Sequence, residues 1–361
     1  MKVELKRTQD QVDLVKAMAS KNRDTAYEAQ QALADFIGPV LAEVIANAPG
    51  LSGLFDSFNY EADDNPSIPL DLYTDILDED YVRVYSNSAP GGLPSSTVAP
   101  IQQEQKITTG RLDSAVDFEK KFAARSRLDV VSLTFGRIGQ EILLKAERTS
   151  ANLILGVLAG NYATNVLEVN NTGGNNNLLT LDDFNKLLTL AKRLNPSWAG
   201  GTPENRGRGI TDLIVSPEIV ESLRAMAYNP ISSGANTDFT ATDSIRDSVY
   251  QNAGIPTFFG LNIMELYELG IGQRFNAVFE EYAGGDFDDT KQDIVIGLDK
   301  SRKSLVRGTE LDADNGSELS LFADDQYSIR QSRIGYYGSK EEGRMVLNDK
   351  TIVGLNVQME A

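Results

Sequence analysis

Residues Asp129 to Leu158 (DVVSLTFGRIGQEILLKAERTSANLILGVL) constrain the fold more than any other stretch. Val131, Phe135, Ile138, Ile142, Ala146, Leu153 and Val157 recur at steps of three, four and seven, which keeps one face of an α-helix apolar. At 1.5 Å per residue, a continuous helix of roughly 30 residues spans about 45 Å, well beyond the usual three to four turns. Asp129 is placed to cap it, and Gly160 with Asn161 to stop it. Nothing catalytic sits on it, so the helix is expected to be a strut, with Gly136 and Gly139 as candidate bend points.

The chemistry open to the rest of the chain is narrow. Its 361 residues include no Cys and no His. That removes thiolate nucleophiles, disulfides, imidazole bases and His- or Cys-ligated zinc. Lys and Arg total 34 against 52 Asp and Glu, a formal charge of −18. Such a surface repels nucleic acid, whose binding needs clustered cations, and keeps concentrated protein soluble. The start, MKVELKRTQDQVDLV, has no apolar secretory core, and no run approaches the ~18 apolar residues of a membrane span. Synthesis in the cytoplasm, with no membrane partner, is the expectation.

Taken in order, residues 1–25 read as a frayed helical arm. Residues 26–47 read as a helix with the stripe Leu33, Phe36, Val40, Leu41, Val44 and Ile45, divided at Pro39. Asn59 to Pro69 reads as a link. Tyr81–Tyr85 and Lys106–Thr109 are strand-like and flank a polar tip, Ser86 to Gln105; after a turn at Gly110 the return arm runs to Phe122. An isolated hairpin is marginal in water, so this arm is expected to rest on another subunit. Beyond the long helix, Thr180 caps a second helix through Phe184, Leu187, Leu188, Ala191 and Leu194. Strand Ile210–Val215 then meets a helix with Ser216 as N-cap and Pro217 first, an α/β join. Further strands are expected at 261–264, 275–279, 293–296, 319–321, 327–337 and 351–357, with an irregularity near Gly335. The fold class is α+β.

No constellation carries a reaction. Asp78-Glu79-Asp80, Asp286-Asp288-Asp289 and Asp312-Asp314 read as solvated loop charge, because sequence-local carboxylates rarely face each other across a sugar. DADNGSE at 312–318 puts Leu311 and Ala313 where a calcium loop needs oxygen ligands. Gly270-Ile-Gly272 lacks the third glycine of a dinucleotide fingerprint, and Gly335 to Lys340 lacks P-loop order. Arg206 and Arg208 read as loop charge. Catalytic, cofactor and metal residues are therefore none. Gln326 to Tyr337 reads as a strand, with Arg330 and Arg333 available to carboxylates of neighbours.

In this order the pieces resemble the major capsid proteins of tailed bacteriophages, which share the Hong Kong 97-type fold. The Tyr81–Phe122 hairpin looks like that family's extended loop and Asp129–Leu158 like its spine helix. ITDLIVSPEIVESLRAMA at 210–227 resembles its axial domain, and SIRQSRIGYYG with KTIVGLNV its closing strands. The resemblance implies an N-terminal arm at 1–65, an extended loop at 66–126, a peripheral domain with the spine helix at 127–178 and 290–345, and an axial domain at 179–289 and 346–361. It implies no reaction and no cofactor. The implied partner is the chain itself, as hexamers and pentamers closing an icosahedral shell around double-stranded DNA held without sequence-specific binding. Separate scaffolding, portal and decoration proteins are further expected partners, and the virion is the expected location. Tyr81, Arg83, Tyr85, Lys106, Arg111, Arg330 and Arg333 are the candidate assembly contacts. The hairpin tip holds no Lys, which argues against a covalent crosslink there. An encapsulin-type compartment is the alternative reading, and a carboxylate-dependent hydrolase a remote one.

Overall fold

A computed structural model describes residues 8–48, 50–61, 64–69, 104–169, 179–194, 209–228, 257–258, 260–300, 304–312, 316–324 and 331–359. They divide into two compact units. The first holds residues up to Ser67, Lys106–Ser150 and Val306–Met345; the second holds Ile68–Gln105, Ala151–Leu305 and residues from Val346. The expected strand Tyr81–Tyr85 and residues 86–103 of its polar tip lie outside the described residues, as do residues 170–178 and 195–208, while Glu104 and Gln105 belong to a strand.

The first unit opens with α1 (Gln9–Ala17) and α2 (Arg23–Ala46), the latter capped where Asn22 Oδ1 accepts from Asp24 N at 3.2 Å. The expected frayed arm is a packed helix, since Val15 and Met18 are buried in the core. α2 runs through Pro39 without a break. Its stripe also differs from expectation. Leu33, Ile37, Leu41 and Ile45 are buried, but Phe36, Val40 and Val44 are 60%, 46% and 36% exposed. Two apolar rows lie side by side on this helix, and the row that packs is the one flanked by small Ala34, Gly38 and Ala42. A Cβ on Gly38 would already stand 3.6 Å from Leu321 Cβ.

Five strands form this unit's sheet. β1 (Asp56–Tyr60) lies parallel to β10 (Leu305–Glu310), so part of the expected link is sheet. A short pair, β2 (Ser67–Pro69) with β3 (Glu104–Lys106), precedes β4 (Thr109–Glu119). β4 is antiparallel to β12 (Arg333–Val346) from Thr109↔Gly343 to Glu119↔Arg333, and β11 (Ser320–Asp324) pairs β12 as well. Gly110 is thus inside a strand and marks no turn, and Gly335 sits in regular register opposite Asp117. The return arm finds its backbone partners in its own subunit.

After the short α3 (Lys120–Ala124) comes α4, Leu128–Gly160, 33 residues. Its residues through Ser150 belong to the first unit and those from Ala151 to the second. Val131, Phe135, Ile138, Ile142 and Ala146 are buried, with the Phe135 ring edge-on to Tyr336 at 4.7 Å. Beyond Ser150 the buried row is Ala151, Ile154, Leu155 and Leu158, leaving Leu153 and Val157 only partly covered. A 3.6-residue helix drifts in this way against a fixed repeat.

The second unit adds α5 (Tyr162–Asn165), β5 (Val166–Glu168), α6 (Leu181–Leu194), β6 (Asp212–Val215), α7 (Pro217–Tyr228), β7 (Thr257–Phe258), β8 (Leu261–Glu265), α8 (Arg274–Ala283), β9 (Gln292–Leu298) and β13 (Ile352–Gln358). Its mixed sheet runs β5-β13-β9-β6-β8-β7. The central strands β6, β9 and β13 are apolar and buried, as strands covered on both faces must be. Phe184, Leu187 and Ala191 of α6 and Ile219, Val220 and Leu223 of α7 share one core with them. One expected strand is overturned, because residues 275–279 are helix. Phe275, Asn276 and Phe279 form its buried face and Gly284, at φ 66°, ends it in the left-handed conformation. Five residues of FNAVF fit either period, and the left-handed glycine decides for helix.

Candidate assembly surface

Lys106, Arg111 and Arg333 are the described members of the expected contact set; Tyr81, Arg83, Tyr85 and Arg330 lie outside the described residues. Lys106 is exposed at the end of β3. Arg111 and Arg333 stand near opposite ends of the β4–β12 ribbon. Arg111 Nε donates to Asp113 Oδ1 at 2.9 Å and to Ser339 Oγ at 2.7 Å, and its guanidinium lies 5.9 Å from the Tyr337 ring centre. Hydrogen bonding from Tyr337, then from Ser339 and Arg111, holds the Asp113 carboxyl below its ordinary range. Arg333 Nη1 donates to Asp117 Oδ2 at 2.7 Å. Both arginines therefore have a carboxylate of their own strand pair, and their side chains remain about half exposed, at 58% and 46%.

The opposite face of the same sheet carries a group that the sequence did not single out. Lys340, Glu342 and Arg344 alternate inward on β12 and are almost fully buried. Lys340 Nζ lies 3.2 Å from Glu318 Oε2 and 3.4 Å from Glu342 Oε2, and Arg344 Nη1 lies 2.7 Å from Glu342 Oε1. Arg307 of β10 approaches Glu318 at 3.9 Å. Ser52 Oγ accepts from Arg307 at 3.3 Å and from Arg344 at 3.2 Å. Glu147 of α4 takes the backbone N–H groups of Leu51 and Ser52 at 2.7 and 3.2 Å. Three cations and three carboxylates thus close on a turn between α2 and β1. Burial pushes the Arg344 guanidinium below its ordinary value, against the pull of Glu342. Arg307 Nε, Arg344 Nε and Thr309 Oγ1 find no partner among the described residues. The only sequence signal was the alternation K-E-E-G-R at 340–344, which on an exposed strand means nothing.

The second unit has a buried polar centre at the start of β9. Asp293 at the start of β9 accepts from Ser216 Oγ, from Asn276 Nδ2 at 3.3 Å and from Ile294 N at 2.8 Å. Ser216 also caps α7 through Ile219 N, and Asn276 bonds Gly270 N and Gln292 O. Burial raises the Asp293 carboxyl. These hydrogen bonds tie one element to another, so the cluster is an internal fastening. No group of three or more metal-ligating side chains gathers among the described residues, and no described helix is long and apolar enough to cross a membrane.

No protein-family model matches the sequence, and no curated protein matches it. Solved structures do resemble it. They are mainly phage capsid proteins. The capsid protein of cyanophage P-SCSP1u is 14% identical over 85% of this chain and 87% of its own, with a TM-score of 0.49. The capsid of an empty GTA particle is 13% identical over 86% and 90%, also at 0.49. The holo-SrpI encapsulin complex of Synechococcus elongatus PCC 7942 gives 14%, 89% and 97%, at 0.45.

Proposed function

We propose that the chain is a shell-forming protein, the major capsid protein of a tailed bacteriophage, which assembles as hexamers and pentamers around double-stranded DNA. The observation that carries this reading is a succession of elements: the long strand β4, the 33-residue α4, and then an α/β unit built on a six-stranded sheet. That is the order of extended loop, spine helix and axial domain on which the sequence resemblance rests. The buried charges on β12 and the Asp293 cluster are in keeping with it, since each fastens one strand or turn to another. Separate scaffolding, portal and decoration proteins are proposed partners, and virion assembly in a host cytoplasm the proposed setting. The domain boundaries at 65, 126, 178, 289 and 345 belong to the same reading.

Negative-stain imaging of purified protein, with nuclease treatment of the enclosed cargo, tests it. Closed shells that protect DNA are expected. Shells that enclose protein cargo and no DNA point to the encapsulin alternative. A small monodisperse oligomer that never yields rings or shells overturns both. Deletion of 87–99 at the polar tip is expected to leave folded subunits that assemble poorly.

A further inference from the structure

We propose that copies of this chain meet through a pair of helices, α2 of one copy lying antiparallel on α4 of the next. On the solvent side of α2, Phe36, Val40 and Glu43 form a row that ends at the C-cap Asn47, and all of them are exposed. On the solvent side of α4, Leu133, Arg137, Gln140 and Leu144 form another exposed row, with Leu133 at 75% and Leu144 at 47%. Both rows advance by four, three and four residues, the spacing of a two-helix seam. The opposite faces of both helices are already spent on the core of their unit, through Leu33, Ile37 and Leu41 on α2 and Val131, Phe135 and Ile138 on α4. The outward rows therefore pack on nothing within the unit.

Run antiparallel, the rows match residue for residue. Setting Glu43 against Arg137 brings Phe36 onto Leu144, Val40 onto Gln140 and Asn47 onto Leu133, because each row holds its charge seven residues from a large apolar side chain. A parallel pairing with the same charges opposed would set Phe36 against Val130, which packs on the core, and would carry Leu144 past the end of α2 at Ala46. Charge also selects the partner. From Thr25 to Asn47 the chain has no Lys or Arg, so α2 laid on a second α2 would cover Glu43 with no cation to meet it. The carboxylates beside the rows are engaged, Asp35 by Gln31 Nε2 at 2.8 Å and Glu141 by Ser114 Oγ at 3.0 Å. Among the described residues, the Glu43 and Arg137 side chains have no ion-pair or hydrogen-bond partner.

Burial of Phe36 against Leu144 supplies the attraction, and the Glu43–Arg137 pair fixes register and direction. The two rows are different surfaces, so the contact runs head to tail, the geometry by which rings close. A seam this short is weak taken singly and gains strength by repetition around a particle. That copies of the chain meet at all rests on the shell reading; the helix faces at which they meet do not follow from it.

Assembly of the full chain, followed by light scattering and negative-stain imaging, tests the pairing. Glu43→Arg and Arg137→Glu are each expected to slow assembly at least about tenfold, since each sets like charges face to face. Carried on one chain, the two reversals oppose unlike charges again and are expected to return the rate to within about threefold of wild type. A single reversal that assembles at the wild-type rate overturns the proposal, and so does a double variant no faster than the singles. Because the chain has no Cys, a bis-maleimide added to a mixture of Val40→Cys and Gln140→Cys chains reports the seam directly. A crosslink between positions 40 and 140 is expected. An assembling mixture that gives only 40–40 links, only 140–140 links or none overturns the pairing, and this arm carries the test if a reversal variant fails to fold. A wild-type chain that forms neither rings nor shells and gives no 40–140 link takes the shell reading down as well; one that assembles while reversals and crosslink fail overturns the helix pairing alone.

Discussion

Gly50 shows how tightly single residues are specified around the buried charges. A Cβ there would meet Glu147 Oε1 at 2.2 Å and its carboxyl carbon at 2.7 Å. That carboxylate cannot simply swing away, because it holds the N–H groups of Leu51 and Ser52. Gly50→Ala should therefore cost about 1–3 kcal/mol, the loss of hydrogen bonds to a charged group, read from the urea midpoint. Combined with Glu147→Ala, it should cost much less than the sum, since the obstacle is then gone; strict additivity would refute the coupling. Lys340 makes the companion case. Lys340→Met leaves Glu342 and Glu318 buried beside fewer cations and should destabilise by about 3–5 kcal/mol. Lys186→Ala, at an exposed pair with Asp182, should cost under about 1 kcal/mol. None of this was legible in the sequence. Glycine and glutamate 97 positions apart reveal nothing of each other until a helix and a turn meet.

At the scale of elements, long and self-consistent patterns are legible in the sequence and short or two-sided ones are not. α4 was legible because its pattern persists over eight turns, and α6 and α7 because Thr180 and Ser216 announce their starts. Asp183 Oδ2 takes both the N–H and the hydroxyl of Thr180 at 3.0 and 2.6 Å, and Ile219 N donates to Ser216 Oγ at 3.2 Å. β1 (DSFNY) and β10 (LVRGTE) carry too few apolar residues to show a strand pattern in the sequence. On α2 the expected stripe mixes two rows, Leu33, Leu41 and Ile45 being buried and Phe36, Val40 and Val44 exposed, because both rows are equally apolar in sequence. α4 also offers a clean test of its glycines. A Cβ on Gly136 would meet nothing within 4 Å, so Gly136→Ala should gain up to ~1 kcal/mol of helix propensity, raising the melting temperature. If a bend at Gly136 serves shell maturation, that variant should assemble yet expand slowly by time-resolved scattering. Unchanged expansion would leave α4 a rigid strut.

For the whole molecule, charge is the quantity that the proposed self-assembly must contend with. Each subunit carries a formal −18, and bringing many copies together concentrates that charge, so repulsion between like-charged neighbours opposes every interface that forms. Screening length then governs the balance. At about 10 mM ionic strength it is about 30 Å, comparable to a subunit, and near 1 M it is about 3 Å. Assembly followed by light scattering should accelerate as salt is raised, with little particle formation at the low end. The opposite dependence, fast at low salt and suppressed at high salt, would mean that attraction between opposite charges on neighbours drives the association. Arg111 and Arg333 would then be the first candidates, released from Asp113 and Asp117 to reach across. The same field predicts that isolated subunits retain no double-stranded DNA in a filter assay at about 0.1 M salt. Retention there would contradict the idea that a shell of this protein encloses DNA by closing around it and not by binding it.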